Sequence, residues 1–317
     1  YASGITSPYG GSVVQVPPLG LAVAAVVDAF SPDWRDAAAV AAFIALDLCV
    51  AASLWAMCRD VMRQEDGAAP ERRLEALMLA KWRPKLPNVF HATWDYGRPL
   101  AVATVYLLNP AIILQCAAMS LDVVERLFVF GGLLAACQGK PGCAAVALAA
   151  AACCGNACGF ALLAPAALLL QQRSSPSSFA GVSFPWRTFA PLLLRFAAFA
   201  ASIAWACGRF LGVPSTPSLW GNAFHARFLA YDELTPNAGL YWYFFAEVFA
   251  RFRATFLAVF LAHPAVYIVP LVLRLGMFPA ALAHILIAID GVFRPHPTVA
   301  NPGVAACLFL MHPRSLA

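Results

Sequence analysis

The chain has 317 residues, of which 62% are hydrophobic and 12% are charged, and its net charge is +5. Soluble globular domains are roughly 45–50% apolar and about 25% charged. The composition therefore excludes an ordinary soluble protein and indicates a polytopic membrane protein. The positive charge is small and spread along the chain, which argues against a nucleic-acid-binding surface and fits loop arginines that set the orientation in the membrane.

The amino-terminal part of the sequence contains one clear spanning helix. Residues 1–20 are rich in glycine, serine and proline and predict a loop, whereas residues 37–57 are apolar and long enough to span a membrane. Asp47 lies near the middle of this segment. A charge at that depth costs about 2.5–3.5 kcal/mol, so we expect Asp47 to face protein or water, either in a buried interhelical hydrogen bond or as a functional ion.

Residues 59–99 are predicted to form a cytosolic loop that contains an amphipathic interfacial helix. The first part of this region, residues 59–85, is rich in arginine and lysine, and it places Leu74, Leu77 and Met78 on one helical stripe. A plain solvated loop is the alternative. Because positively charged loops stay in the cytosol, the first spanning helix is expected to end on the cytosolic side.

Broken apolar segments predict the path of the middle of the chain. Residues 100–119 are expected to span with a kink at Asn109-Pro110, because proline frees a backbone carbonyl of the preceding turn. Residues 144–170 form either one long tilted helix or two half-length helices that meet at Gly155-Asn156. The orientation of the flanking loops favours two. The next span leads into a predicted lumenal loop at 214–237.

A dense aromatic run follows that loop, in the stretch DELTPNAGLYWYFFAEVF at 232–249. Thr235-Pro236 predicts a helix start, with a capping hydroxyl and a proline at the first helical position. Leu240, Phe244 and Val248 then fall on one helical stripe. Aromatic side chains beside an acidic turn suit the membrane–water boundary. We interpret the stretch as a helix that enters the membrane at its interface and offers a face to lipid.

Both ends of the chain are expected to be trimmed. The sequence begins at Tyr1 without a methionine or a signal peptide, and it stops soon after an apolar run, 304–311, that is too short to span. The fold prediction is therefore a single multi-pass transmembrane domain over residues 1–317, truncated at both ends. It is an all-α polytopic helical bundle with broken and interfacial helices.

Motifs for catalysis and metal binding are missing from the sequence. The six histidines are isolated, and no HExxH, GxSxG, P-loop or GxGxxG motif occurs. Cys153, Cys154 and Cys158 lie in an alanine-rich apolar run, where small-residue helix packing is favoured over a metal site. We therefore predict no catalytic residue, no metal and no cofactor.

The stretch LTPNAGLYWYFFAEVF at 234–249 resembles the signature of the phosphatidylinositol-glycan class U family, the polytopic subunit of the glycosylphosphatidylinositol (GPI) transamidase. Shorter similarities occur in the same order, with SPYGG at 7–11, YLLNP at 106–110 and HPTVA at 296–300. Together the matches cover most of the chain in register. Family members carry a helix before the SPYGG-like loop and more helices after the HPTV-like motif, which agrees with the expected truncation.

The resemblance implies a subunit of the endoplasmic reticulum membrane that supplies no reactive group. The family's complex replaces a C-terminal signal peptide on client proteins with a preassembled GPI lipid, and a separate cysteine-protease-like subunit performs the transamidation. The class U subunit would help recognise the lipid or the signal, and its fold is similar to that of GT-C glycosyltransferases. The implied partners are the other transamidase subunits, the GPI lipid and the membrane, with no nucleic acid.

On this basis we predict a lipid-binding groove between helices at Asn237, Tyr241, Trp242, Phe245 and Glu247. The three aromatic side chains would line the acyl chains. Asn237 and Glu247 would contact polar head groups. The alternatives are that Asn237 caps the helix and that Glu247 pairs with Arg251, which follows it at the helical spacing of four.

Two enzymatic hypotheses are the alternatives. A GT-C-type mannosyltransferase that uses a dolichol-phosphate sugar needs a lumenal carboxylate. Asp33 and Asp36, or Asp232 and Glu233, would have to supply it, although both pairs are better explained as solvated loop charges. The spacing of Asp33 and Asp36 also departs from the DxD-like motif of those enzymes. A fatty-acid elongase is the third reading, and the missing histidine clusters argue against it.

Overall fold

The computed structural model describes residues 18–28, 32–66, 88–154, 157–174, 186–210, 236–237, 239–248, 250–276, 278–295 and 297–311. Within these ranges every regular element is a helix. This confirms the all-α prediction and fits a membrane environment, in which a helix satisfies its backbone hydrogen bonds internally.

The structure describes thirteen α-helices. In chain order they are α1 (Pro18–Asp28), α2 (Pro32–Asp66), α3 (Asn88–Leu108), α4 (Pro110–Ala117), α5 (Asp122–Cys137), α6 (Pro141–Cys154), α7 (Ala157–Ser174), α8 (Trp186–Phe210), α9 (Leu240–Glu247), α10 (Arg253–Val266), α11 (Ile268–Leu275), α12 (Pro279–Phe293) and α13 (Ala300–Phe309). A single 3₁₀ turn, Ala250–Phe252, joins α9 to α10.

Three helical segments of the described chain are long and apolar enough to cross a membrane by themselves, namely Ala37–Gln64, Phe189–Phe210 and Thr255–Leu275. The first contains the predicted span 37–57, and the multi-pass prediction is confirmed. Of these three segments, the one in α8 is the least buried by the rest of the protein, with only 6% of its most apolar 18-residue stretch buried.

The predicted kink at Asn109-Pro110 is also confirmed. Gly97–Leu108 and Pro110–Ala117 form a pair of helices bent by 52°. The side chain of Asn109 accepts a hydrogen bond from the backbone N–H of Ala111 at 3.0 Å, and Pro110 occupies the first position of α4. Proline has no backbone N–H to satisfy at the first helical position, and Asn109 accepts from the otherwise unpaired N–H of Ala111. α4 therefore starts as a separate, capped helix.

The apolar segment 144–170 forms two helices, as the orientation of its loops favours. α6 has 14 residues, and at about 1.5 Å per residue it measures roughly 21 Å, less than the ~30 Å thickness of a hydrocarbon core. α7 packs back against α6. Cys153 and Cys154 are buried free thiols in α6, whereas Gly155 and Asn156 lie outside the described residues.

The main core lies between α2, α3, α5, α6, α7, α12 and α13. Leu54, Phe130 and Leu148 are fully buried there. α5 and α6 approach closely at Gly132, where an added Cβ would lie 2.9 Å from Cγ of Leu148. The absence of a side chain at Gly132 is what permits this packing.

Polar contacts mark the end of the bundle at which α2 finishes. Gln64 donates to the carbonyl oxygen of Cys137 at 2.8 Å, and Gln138 donates to Asp60 at 3.4 Å. The predicted loop 59–99 is helical at both ends, because α2 continues to Asp66 and α3 begins at Asn88. Its centre, 67–87, and most of the predicted lumenal loop 214–237 lie outside the described residues, so the sidedness of both stays a prediction.

Candidate functional site

The aromatic helix α9 starts at Leu240, four residues after the first helical position predicted at Pro236. The side chain of Asn237 accepts a hydrogen bond from the backbone N–H of Gly239 at 2.8 Å. Such a turn competes with a helix for the backbone, and Gly239 is extended, with φ −88° and ψ 152°. Asn237 therefore shapes the entry to α9, and its amide also donates to the carbonyl oxygen of Pro295 at 3.3 Å.

α9 is short and ends at Glu247, because Val248 adopts an extended conformation with φ −80° and ψ 128°. Val248 therefore lies outside the helix, and the predicted helical stripe contains only Leu240 and Phe244. Glu247 and Arg251 are both exposed and lie on different elements. A spacing of four brings side chains together only within a continuous helix, so the predicted Glu247–Arg251 pairing was wrong.

The inner side of α9 forms an aromatic cluster with α10. Tyr241 is 2% exposed and Phe245 is fully buried, and both pack against Leu257. The rings of Tyr241 and Phe245 are 4.7 Å apart, and each lies 5.7 Å from the ring of Phe260. Offset and edge-on contacts at such distances add about 0.5–1.5 kcal/mol to the effect of burial. Phe260 in turn contacts Phe293 of α12 at 5.4 Å.

The opposite side of the same elements is an exposed apolar face, which we call the outer aromatic face. It is made of side chains that are 37–69% exposed: Leu240, Tyr243, Phe244, Phe252, Phe256 and Val259. Trp242, which was predicted to bind lipid, is half-buried. Tyr241 and Phe245 were predicted to line the groove, whereas the structure buries both of them behind more exposed aromatic side chains.

The segment before α9 packs against the segment between α12 and α13. A Cβ on Gly239 would lie 2.6 Å from the ring of Pro297 and 2.8 Å from Oδ1 of Asn237. Together with the bond from Asn237 to Pro295, this contact joins two stretches that are far apart in sequence. The glycine is required because the proline ring cannot move aside as a flexible side chain would.

The bend between α3 and α4 packs against α13. A Cβ on Gly303 would meet the side-chain amide of Asn109, with Nδ2 at 2.7 Å and Cγ at 3.1 Å. On the other side of α3, the hydroxyl of Tyr106 donates to Asp47 at 2.8 Å, and both side chains are buried. Asp47 therefore forms the buried interhelical hydrogen bond that was one of its two predicted roles.

We expect Gly303→Ala to destabilise the protein by about 1–3 kcal/mol, because overpacking at a fixed neighbour costs this much and Asn109 cannot move without uncapping α4. Gly131→Ala is the matched control, since Gly131 is also helical and its Cβ would meet nothing within 4 Å. Thermal unfolding in detergent measures both. Equal midpoints for the two variants would contradict the proposed contact.

A buried ion triad lies beside these contacts. Nη2 of Arg294 donates to Glu125 at 2.5 Å and to Asp290 at 2.9 Å, and Nη1 donates to the second oxygen of Glu125 at 3.2 Å. The side chains of Arg294 and Glu125 are only 16% and 8% exposed. A bidentate arginine–carboxylate pair of this kind is among the strongest polar contacts in proteins.

The amide of Gln115 connects the neighbouring polar groups. It donates to Asp122 at 3.0 Å, to Ser120 at 3.2 Å and to Thr298 at 3.4 Å, and its oxygen accepts from Arg126. Thr298 then donates to Oδ1 of Asn301 at 3.1 Å, in the first turn of α13. α4, α5 and α13 are thereby joined by one partly buried network of hydrogen bonds.

A cavity of about 60 Å³ opens between the triad and the core. We call it the polar cavity, and its polar lining consists of Glu125, Arg126, Asp290, Arg294 and Asn301. Most of the remaining residues that line the cavity are apolar and include Phe130, Leu148 and Leu163. Within the described part of the chain, no group of three or more His, Cys, Asp or Glu residues has an arrangement that would hold a metal ion.

The sequence of the whole chain matches a known family. A family model described as GPI transamidase subunit PIG-U matches residues 1–317. The chain belongs to the PIG-U family. The GPI-anchor transamidase component PIGU of Cricetulus griseus is 28% identical to it over 308 residues, which are 96% of this chain and 66% of that protein. The Homo sapiens protein of the same description is 27% identical over 305 residues, with the same two shares.

A fungal relative is similar over a shorter stretch. The GPI transamidase component GAB1 homolog of Schizosaccharomyces pombe is 28% identical over 210 residues, which are 64% of this chain and 46% of that protein. The chain thus spans about two thirds of the length of its mammalian relatives. The family predicted from the aromatic stretch is confirmed.

Two of the four stretches that carry the PIG-U resemblance are in contact, because Gly239 of the aromatic stretch lies against Pro297 of HPTVA. Asn109 of YLLNP lies against Gly303, three residues after HPTVA ends. The fourth stretch, SPYGG, lies outside the described residues. So do the side chains of Asp33 and Asp36 and both residues of the Asp232–Glu233 pair, which leaves the mannosyltransferase alternative untested.

Sequence reasoning did not find the charged residues that line the polar cavity. Glu125, Arg126, Asp290 and Arg294 each interrupt or border an apolar segment. Charges in such segments are rare, face the protein interior and pair with one another. That rule drew attention to Asp47, and it would have found these four residues as well.

Proposed function

We propose that the protein is a noncatalytic subunit of the GPI transamidase complex in the endoplasmic reticulum membrane, where it helps recognise the GPI lipid or the attachment signal of the client protein. One observation carries the proposal: the family model of a GPI transamidase subunit matches the entire chain. The mammalian and fungal relatives, which are named as transamidase components, support it. Transamidation itself belongs to a separate cysteine-protease-like subunit in this proposal.

Co-purification tests the assembly part of this proposal. The protein, carrying an affinity tag, is expressed in cells of its own source and extracted in mild detergent, and the retained proteins are identified by mass spectrometry. We expect a cysteine-protease-like subunit among them in near-equal amount. Transamidation by the isolated chain, with every other subunit excluded, would contradict the noncatalytic role.

In the proposal, acyl chains of the lipid lie against the outer aromatic face and Trp242. The support is the contrast within α9 and α10: Phe244 and Phe256 expose 37% and 44% of their surface, whereas Tyr241 and Phe245 are buried behind them. The rings of Phe244 and Phe256 are 5.9 Å apart and make a continuous surface. Asn237 precedes α9 and Glu247 is its last residue, and in the proposal both side chains contact polar head groups.

Removing the two exposed rings should weaken lipid recognition without loss of the complex. We expect Phe244→Ala with Phe256→Ala to lower GPI attachment about tenfold, because losing apolar contact worth ~1.4 kcal/mol changes an affinity by that factor. Attachment is measured as surface GPI-anchored protein in cells that lack their own PIG-U subunit, divided by the amount of assembled complex.

The matched control removes two phenylalanines that are exposed elsewhere, Phe210 and Phe309, which are 62% and 56% exposed. Phe210→Ala with Phe309→Ala should leave attachment per complex unchanged. An equal loss in both double variants would indicate a general effect of fewer aromatic residues in the membrane, and it would contradict a lipid-contacting role of the outer aromatic face.

A further inference from the structure

The helical segment Thr255–Leu275 carries two polar side chains, His263 and Tyr267, close to its centre. The segment has 21 residues and measures about 32 Å at ~1.5 Å per residue, which matches the ~30 Å thickness of the hydrocarbon core. Its middle residue is Ala265, so each polar residue lies about 3 Å from the centre along the axis. Both are then roughly 12 Å from the nearest head groups, too far for either ring to reach them.

This polar pair is only partly covered by the rest of the described protein. Nε2 of His263 and the hydroxyl of Tyr267 are hydrogen-bonded at 2.8 Å. Both rings contact Phe293 of α12, with centroid distances of 5.1 Å from His263 and 6.3 Å from Tyr267. His263 is nevertheless only half-buried, and Tyr267 is 36% exposed. The pair therefore lies at an apolar surface that the described residues leave open.

Hydrogen-bonding capacity remains on the pair in either tautomer of the histidine. A charge is costly at this depth, so the imidazole is neutral, with one N–H and one acceptor nitrogen. If the hydroxyl of Tyr267 donates to Nε2, then Nδ1 of His263 is a free donor and the hydroxyl oxygen a free acceptor. If Nε2 donates, these two roles are exchanged. In both cases one donor and one acceptor stay without a partner among the described residues.

The backbone beside the pair also lacks a regular hydrogen bond. Pro264 lies inside α10 and has no N–H, so the carbonyl group of Phe260, four residues earlier, loses its helical donor. In a membrane, such a freed carbonyl is satisfied by a neighbouring helix, a side chain or an ordered water. The unmet hydrogen bonds of backbone and side chains thus fall on the same turn of the segment.

Lipid acyl chains cannot satisfy these groups, because they have neither donors nor acceptors. A hydroxyl or amide side chain on a second transmembrane helix both donates and accepts, and such side chains form hydrogen bonds between helices in membranes. The surface next to the pair suits a helix, since Val266, Val269 and Leu273 follow one another at spacings of three and four and are 67%, 65% and 79% exposed.

We propose that the face of Thr255–Leu275 around His263 and Tyr267 docks a transmembrane helix of another protein chain, which places a hydroxyl or amide side chain at the centre of the bilayer. That side chain accepts from one member of the polar pair and donates to the other. The inference does not rest on the proposed function, because the chemistry selects a side chain at a given depth and not a particular complex.

Docking is tested on the full chain in phosphatidylcholine vesicles, with a donor dye on an added terminal tag. The probes are lysine-flanked poly-leucine peptides that carry an acceptor dye and are kept dilute enough in the lipid to remain monomeric. One has asparagine at its centre, one has asparagine displaced by six residues, about 9 Å along the helix, and one has leucine only. The readout is energy transfer as a function of the peptide-to-lipid ratio.

We expect the peptide with central asparagine to associate about eightfold more tightly than the leucine peptide. An interhelical hydrogen bond in a membrane contributes roughly a factor of three, and two are formed. The displaced asparagine should give no advantage over leucine. Equal association of the central-asparagine and leucine peptides overturns the proposal, and so does equal association of the two asparagine peptides.

The decisive variant is His263→Phe with Tyr267→Phe, which keeps aromatic rings against Phe293 and removes every donor and acceptor of the pair. Its preference for central asparagine should disappear, and a preserved preference refutes the site. Ser202→Ala is the matched control, because Ser202 is an exposed hydroxyl in another spanning segment and donates within its own helix, to Ala198 at 2.8 Å. This variant should keep the eightfold preference, and its loss there would contradict a site at the polar pair. The comparison of the three peptides on the unaltered chain decides the matter if the double variant fails to fold.

Discussion

Replacement of Arg294 by methionine is expected to destabilise the protein by about 3–5 kcal/mol, which is the typical effect of removing one partner from a buried ion pair. Arg294 supplies all the hydrogen bonds that the structure shows for the carboxylate of Glu125, and Glu125 is only 8% exposed. Without the guanidinium group, Glu125 and Asp290 are two carboxylates with no cation between them. Chemical denaturation in detergent, followed by intrinsic fluorescence, measures the change.

Two further variants identify the cause. Arg63→Met removes an arginine whose side chain is 70% exposed and 3.9 Å from Asp60, and we expect a change of about 0–1 kcal/mol because exposed pairs contribute little. Adding Glu125→Gln to Arg294→Met should recover part of the lost stability, since it removes the unpaired charge. Failure of this double variant to recover stability would indicate that packing of the arginine, and not its charge, is what matters.

Replacement of Phe245 by alanine is expected to reduce stability by about 3–5 kcal/mol, because a fully buried phenylalanine leaves a cavity when it is truncated. Phe245 is 0% exposed and contacts Tyr241, Phe244 and Phe260 through its ring. The amount of assembled complex should therefore fall, and total GPI attachment with it. Attachment per assembled complex should stay near the wild-type value. Quantitative immunoblotting and flow cytometry on the same cells provide both numbers.

Phe244→Ala is the comparison for this experiment, because Phe244 is adjacent in sequence and 37% exposed. It should lower the amount of complex less than Phe245→Ala does, since its ring contacts Phe245, Phe256 and Phe260 but is partly exposed, and it should lower attachment per complex. The reverse pattern, a normal amount of complex with lost attachment in Phe245→Ala, would place Phe245 in direct contact with lipid, as the sequence alone predicted.

The parts of the fold that the sequence predicted are those that depend on local composition. The span in α2 follows from a long apolar run, and the bend at Asn109-Pro110 follows from the missing N–H of proline and the capping amide before it. The division of 144–170 into two helices also has a local cause, in the polar break between two apolar runs.

The start of α9 was mispredicted because two local signals compete. Thr235-Pro236 is a good helix start, but the side chain of Asn237 accepts a hydrogen bond from the N–H of Gly239, and Gly239 itself is extended. The contact with Pro295 and Pro297 stabilises this arrangement from a distance. A signal of that kind cannot be read from neighbouring residues alone.

The ion triad was missed for a different reason. Glu125 and Arg294 are 169 positions apart, and no periodicity of a single helix relates them. Their pairing depends on α5 and the end of α12 being adjacent in three dimensions. The candidate site therefore combines local features, such as the aromatic run, with contacts that only the folded chain creates.

The length of α2 fixes how the chain leaves the lipid. Its 35 residues extend about 52 Å at ~1.5 Å per residue, whereas the hydrocarbon layer is about 30 Å thick, and a tilt of about 20° shortens its projection by only ~3 Å. Roughly 20 Å of helix must then stand among head groups or in water. Both ends of α2 carry charged residues for that overhang, with Asp33, Arg35 and Asp36 in its first turns and Arg59, Asp60 and Arg63 near its end, so the helix itself extends into the head-group layers.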